Sequence, residues 1–131
     1  MDVSEVAKEF TQLLKDGKDQ EAQDRFWADT IRSIEAGPSH EGDYQDLTGR
    51  EAIMTKHAWW EANTTVHDVS FKGPMVNGNA FAVIFSMDVT MKGFPRMQME
   101  EVGLYTVADG KIVEERFFYG PFDEPEGAAG A

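Results

Sequence analysis

Hydrophobic positions recur at helical spacing over the first part of the chain and at strand spacing over the remainder. Val3, Val6, Phe10, Leu13 and Leu14 fall on one helix face, Asp2 or Ser4 can cap its start, and Gly17 offers a left-handed stop. A second, shorter helix is predicted from Asp19 to Trp27, with Ala22 and Phe26 on its buried side. Thr30 to Glu35 is rich in β-branched residues and loosely alternating, so it reads as a short strand ended by Gly37-Pro38. Ser39 to Asp46 is polar and turn-rich and reads as an exposed loop. Thr48 and Glu51 have the spacing of a capping box, opening a third helix on which Ile53, His57 and Trp60 share one face.

From there the period changes to two. Val66 to Lys72 is a predicted strand, broken by Gly73-Pro74, and Asn77-Gly78 turns the chain into the clearest β segment, Ala80 to Met91. There Phe81, Val83, Phe85, Met87, Val89 and Met91 alternate with Ala82, Ile84, Ser86, Asp88 and Thr90. Gly93 to Pro95 interrupts the chain again before a strand from Arg96 to Val107. Ala108-Asp109-Gly110 reads as a three-residue hairpin loop, and Lys111 to Tyr119 pairs back. The tail after Gly120, GPFDEPEGAAGA, lacks periodicity and apolar weight and is expected to be disordered. Three helices followed by antiparallel strands predict an α+β domain over residues 1–120, with helices laid on one face of a curved sheet, and a tail over 121–131.

Composition narrows the class. The 131 residues include 24 acidic and 12 basic side chains, a net charge of −12, and 41% of the chain is apolar, enough for a core without staples. Cysteine is absent, which excludes disulfides, thiolate metal sites and a cysteine nucleophile. The acid excess argues against nucleic acid and anionic membranes as partners. MDVSEVAKEF carries acids where a signal peptide would be basic, and the longest apolar run, Ala80 to Phe85, is far short of the ~20 residues of a membrane helix. A cytoplasmic protein is expected.

Candidate chemistry follows from strand faces. Met97, Met99, Glu101, Gly103 and Tyr105 share one face of their strand, and Gln98, Glu100, Val102 and Leu104 the other. If the first set faces inward, Glu101 is a carboxyl among methionines and aromatics, where a buried acid needs a hydrogen-bonded partner. The three-residue loop pairs Val107 with Lys111 and places Glu115 beside Gly103 and Phe117 beside Glu101, all inward. A two-residue loop would instead turn Glu114, Arg116 and Phe118 inward. Glu35 is either a pocket acid or a solvated strand end, and His57 either a working or a satisfied core histidine. His67 and His40 read as structural or exposed. The histidines lack metal-ligand spacing, so neither metal nor cofactor is expected. Phe10, Phe26, Trp60, Phe81, Phe85, Met87, Met97, Met99, Tyr105, Phe117 and Tyr119 can line an apolar cavity or fill a solid core. Val102, Leu104 and Ile84 leave an apolar outer sheet face for a partner to cover.

The order of elements, the TGREAI segment (Thr48 to Ile53) and the DGKIVEERFFY segment (Asp109 to Tyr119) resemble the nuclear transport factor 2-like superfamily, in its SnoaL-like and ketosteroid-isomerase-like branch, over residues 3 to 120. The resemblance implies a cone-shaped, strongly curved antiparallel sheet with the three helices packed on its concave face, and a homodimer packed sheet to sheet. It places Glu101 where ketosteroid isomerases hold a protonated acid and Glu35 where they carry the general base. Phe10 falls where those enzymes have an oxyanion-donating Tyr, and His57 where some have a supporting Tyr, so steroid isomerisation itself is not expected. The epoxide hydrolase branch fits less well, because Met99 stands where its Arg is required. Two readings remain. One is a cofactor-independent isomerase, cyclase or dehydratase with catalytic Glu35, Glu101 and His57. Its small hydrophobic substrate would lie against Phe10, Trp60, Phe85, Met87, Met99, Tyr105, Glu115, Phe117 and Tyr119. The other is a non-catalytic ligand-binding or dimeric interaction domain, with a filled cone and Glu101 salt-bridged to Arg116 or Lys56.

Overall fold

The computed structural model describes residues 1–36 and 45–120. Gly37-Pro38, His40, most of the Ser39 to Asp46 loop and the tail after Gly120 lie outside the described residues. The first helix, α1 (Val3–Lys15), starts as its sequence predicts: Asp2 accepts from the Glu5 backbone N–H while the Glu5 carboxylate reaches back to Asp2, a full capping box. Gly17 takes a left-handed φ of 73° just beyond its end. Helix α2 (Asp19–Phe26) stops one residue short of Trp27, which begins strand β1 (Trp27–Ile34). Ala28 and Asp29 follow Trp27 in the same strand.

Helix α3 (Arg50–Asn63) departs from its predicted start. Thr48 is in a short strand, β2 (Asp46–Thr48), antiparallel to β1, and the residue that opens the helix is Gly49 with φ 96° and no side-chain cap. Thr48 and Glu51 thus form no capping box, because the β1 pairing holds Thr48 in the ladder. Arg50 takes over the anchoring, donating to the Trp27 carbonyl at 3.0 Å.

Strand β3 (Thr64–Asn77) runs through Gly73-Pro74, where the sequence predicts a break. A register irregularity between Lys72 and Met75 absorbs the proline within the pairing to β4 (Ala80–Met91). This is tolerated because β3 is an edge strand, where a missing N–H costs no ladder bond. Strand β5 (Met97–Ala108) and β6 (Lys111–Phe118) complete a six-stranded sheet in the order β2-β1-β6-β5-β4-β3. All neighbours are antiparallel except β1 and β6, which run parallel.

The core lies between α1, α2 and the concave face. Phe10 is its centre, packing against Phe26, Phe81 and Tyr105 at centroid distances of 6.2, 6.0 and 5.0 Å. Val6, Ala22, Ile31, Ile53, Val83 and Ile112 are fully enclosed around it. Phe26 and Phe81 are thus core residues. The outer face is less covered: Ile84, Val102 and Leu104 are half-buried and Phe118 is 48% exposed. No described helix is long and apolar enough to cross a membrane.

Candidate functional site

The helices do not fill the cone. A cavity of about 610 Å³ opens between α2, α3 and the concave faces of β3 to β6, and all twelve residues predicted for the site line it. Phe10, Trp60, Phe85, Met87, Met99, Tyr105, Phe117 and Tyr119 give the wall its apolar and aromatic character, and Glu35, His57, Glu101 and Glu115 bring the titratable groups. Trp27, Phe71 and Lys56 also line it.

Glu115 reaches the cavity by a route different from the predicted one. The β5–β6 hairpin has a two-residue loop, Asp109-Gly110, with φ of 52° and 75°, the left-handed pair of a type I′ turn. It pairs Ala108 with Lys111 and Val107 with Ile112. Continued without change, that register would turn Glu114 inward. Between Ile112 and Glu114 the register shifts, leaving Val113 as an extra residue, so that Thr106 faces Glu114, Tyr105 faces Glu115 and Gly103 faces Phe117. Glu115 and Phe117 therefore point inward as expected, each two residues further along β5 than the three-residue loop would have placed them.

At the floor, four side chains form a buried chain. Lys56 Nζ donates to Glu35 Oε1 at 2.7 Å and to Ser33 Oγ at 2.7 Å, and Ser33 Oγ donates to Glu115 Oε2 at 2.7 Å. The Tyr119 hydroxyl donates to the other Glu35 oxygen at 3.2 Å. Glu35, Lys56 and Glu115 are 8%, 3% and 2% exposed. The ammonium also lies 5.4 Å from the Phe117 ring centroid. Lys56 therefore pairs with Glu35, and Arg116 lies 3.7 Å from Glu114. The sequence names Lys56 only as a partner for Glu101, not for Glu35, and does not single out Ser33, because polar residues do not register in an apolar pattern. Spacing marks both: Lys56 is three residues after the buried Ile53, and Ser33 lies between Ile31 and Glu35 on one strand face.

Electrostatics separate these groups. Burial pushes the Glu115 carboxyl from 4.5 up to about 7, opposed by Lys56 and the Ser33 hydrogen bond and reinforced by Glu35. Burial, with the Lys56 charge beside it, pushes His57 from 6.5 down to about 4, so the ring is neutral near pH 7. Its Nδ1 lies 3.3 Å from Gln23 Nε2, an amide nitrogen that can only donate, which leaves the ring proton on Nε2. Trp27 packs against the same ring at 5.6 Å. Burial and then Glu115 raise the Tyr105 hydroxyl well above its ordinary 10, so it remains a neutral donor.

Tyr105 owes its position to Gly103. A Cβ at residue 103 would lie 2.9 Å from the Tyr105 ring and hydroxyl and from Phe85, so only glycine lets that ring lean back along the strand. Glu101 lies one further step along the same face, half-buried on the wall opposite Phe85 in the β4 pairing. His67 stands apart, exposed and 2.8 Å from Thr90 Oγ1.

A curved sheet closed on one side by three helices, with polar groups at the floor of an internal cavity, defines a nuclear transport factor 2-like protein of the cystatin-like α+β architecture. Within that superfamily the chain belongs to the SnoaL-like domain family, whose model matches residues 1–119. It is similar to a Mesorhizobium loti protein described as a candidate SnoaL-like polyketide cyclase, with 47% identity, a TM-score of 0.84, and 91% of this chain and 100% of that chain covered. A Jannaschia protein with the same description shares the fold at 19% identity and TM-score 0.66, covering 90% of each chain. A Catenulispora acidiphila protein with a ketosteroid isomerase-like fold does so at 18% identity and TM-score 0.68, covering 86% of each chain. No curated protein matches the sequence.

Proposed function

We propose that this protein is a cofactor-independent acid–base enzyme of the isomerase, cyclase or dehydratase type, acting in the cytoplasm on a small hydrophobic molecule held in the cavity. The carrying observation is the buried pair of carboxyls at the cavity floor, Glu35 and Glu115, joined through Lys56 and Ser33. Moving a proton on a carbon skeleton needs one group that accepts and one that donates, in different environments. Glu35 receives hydrogen bonds from an ammonium and a phenol and stands as the acceptor. Glu115, raised to about 7, carries a proton over much of the neutral range and can deliver it. Glu101 and the neutral His57 face the same space and orient the substrate. The aromatic wall excludes water, which strengthens each of these interactions.

The test is a substrate screen on small enolisable ketones and polycyclic phenols, followed by Glu35→Gln and Glu115→Gln in the protein that turns one over. Each change is expected to lower kcat by ~10²-fold or more with folding intact. Turnover that survives both changes removes the proposal. One observation favours a second reading: Phe10 offers no hydroxyl where ketosteroid isomerases have one, which suits a binding domain without catalysis. Ligand uptake without turnover, unchanged in the two Gln variants, is the outcome that reading requires.

We also propose a homodimer packed through the outer sheet face. Its support is a row of apolar residues across three strands, Phe118 beside Val102 and Val102 beside Ile84, with Phe118 largely uncovered.

A further inference from the structure

Among the described residues seven large apolar side chains are exposed, and three of them, Met54, Val66 and Val69, also line the cavity, at 37%, 43% and 39% exposure. Single exposed apolar residues are ordinary, but three at the rim of one cavity form a patch. Met54 comes from α3 and the two valines from β3, so the patch lies where the cavity opens between those elements. The exposed Ala58, one helical turn after Met54, extends it. Asp19, Gln20 and Glu61, also exposed, make the polar remainder of the rim.

The patch continues an apolar track that starts at the cavity floor. The Lys56 ammonium lies 5.4 Å from the Phe117 ring centroid, Phe117 is 6.5 Å from Phe85, and Phe85 is 5.3 Å from Phe71. Val69 stands on the same face of β3 as Phe71, two residues and about 7 Å along the strand. Each of these side chains lines the cavity. The polar floor and the exposed apolar rim are therefore two ends of one surface, and a molecule seated on the first can cover the second.

We propose that the cavity takes an elongated ligand, with a polar head at the floor and an unbranched apolar tail. The tail runs along Phe117, Phe85 and Phe71 and leaves the protein over Val69, Val66 and Met54. Taking those three rim side chains out of water is what favours a long ligand over a short one. A ring system that ends inside the cavity would leave the rim wet and gain nothing from it. That a long-chain molecule of this kind is also the substrate rests on the acid–base function proposed above; its binding does not.

Calorimetric titration with straight-chain phenyl ketones, from acetophenone to octanophenone, reads the track methylene by methylene. Affinity is expected to rise about two- to threefold with each added methylene through the longest members. Met54→Gln combined with Val69→Thr keeps residues of similar size that suit a helix and a strand, both exposed and outside the proposed catalytic groups. The double variant is expected to leave acetophenone affinity unchanged and to flatten the series at its long end, lowering octanophenone affinity about fivefold or more. Affinity that levels off after the short members, or a long end untouched by the double variant, overturns the proposal. So does a native dimer that the double variant converts to a monomer with the ketone series unaltered, because a second copy then covers the rim. Loss of turnover in Glu115→Gln with a series that levels off would retain the acid–base reading and reject this one. A rising series flattened by the double variant, with turnover unaffected by Glu115→Gln, would do the reverse.

Discussion

Tyr105 and Glu115 face each other across β5 and β6 because Val113 is an extra residue in β6. A tight type I′ turn closes the hairpin with one parity, and the bulge restores the other within three residues of it. Register decides which of two adjacent acids, Glu114 or Glu115, enters the cavity, since a slip of one residue exchanges the faces of a strand. Deleting Val113 removes the extra residue and is expected to keep Thr106 opposite Glu114 and Tyr105 opposite Glu115, so that a group titrating near pH 7 is retained. Carboxyl-carbon NMR titration of labelled glutamate checks this; loss of the resonance titrating near 7 would count against the assignment.

The pH dependence of stability contains two opposed contributions. Glu115 has a folded pKa raised from 4.5 to about 7, so between those values the folded state holds a proton that the unfolded state has lost, and stability falls as pH rises. His57 has a folded pKa lowered from 6.5 to about 4, so over that range the unfolded state binds the extra proton, and stability rises with pH. In the overlap, from about pH 4.5 to 6.5, the two largely cancel. Glu115→Gln is expected to show stability rising with pH across that window, and His57→Gln to show it falling. Urea melts at half-unit pH steps measure both slopes.

Lys56 compensates two carboxyls at once. Lys56→Met removes the ammonium and leaves Glu35 and Glu115 buried without it, a loss expected to cost about 3–5 kcal/mol. Adding Glu35→Gln should recover part of that loss, because one of the orphaned charges is gone. Denaturant unfolding of the single and double variants tests the coupling, and strictly additive losses would refute it.

Gly103→Ala puts a methyl group 2.9 Å from the Tyr105 ring and from Phe85. The ring cannot stay where it is, and overpacking of this kind costs about 1–3 kcal/mol. A lower Tm together with weaker ligand affinity is the expected pair of readouts. An unchanged Tm would show that the ring has room to yield.

If the outer face is the dimer interface, Phe118→Glu places a charge at the centre of its apolar row, beside Val102. Light scattering after gel filtration should then give a dimeric mass for the native chain and a monomeric mass for the variant. A native monomer at micromolar concentration defeats that proposal.

Much of this architecture could be read along the chain because it is local. The Phe10 helix face, the Ala80 to Met91 alternation and the Glu101, Gly103, Tyr105 face each follow from a period of 3.6 or 2 over a few residues. The positions that eluded such reading were decided by partners distant in sequence. Thr48 had the chemistry of a cap, but pairing with Arg32 drew it into a strand. Gly73-Pro74 had the chemistry of a break, but an edge strand accommodates it.

The same division holds at the site. The sequence by itself determined which carboxyls and aromatics could share the concave face, because alternation and helical spacing are fixed by backbone geometry. Only the tertiary structure decided that the cone stays open, and that Lys56 from α3 and Ser33 from β1 bridge Glu35 and Glu115. Neither an enclosed volume nor a hydrogen bond spanning 82 residues, as between Ser33 and Glu115, has a local signature. Both arise when separate elements pack, and there the identity of the neighbour sets the charge state of each group.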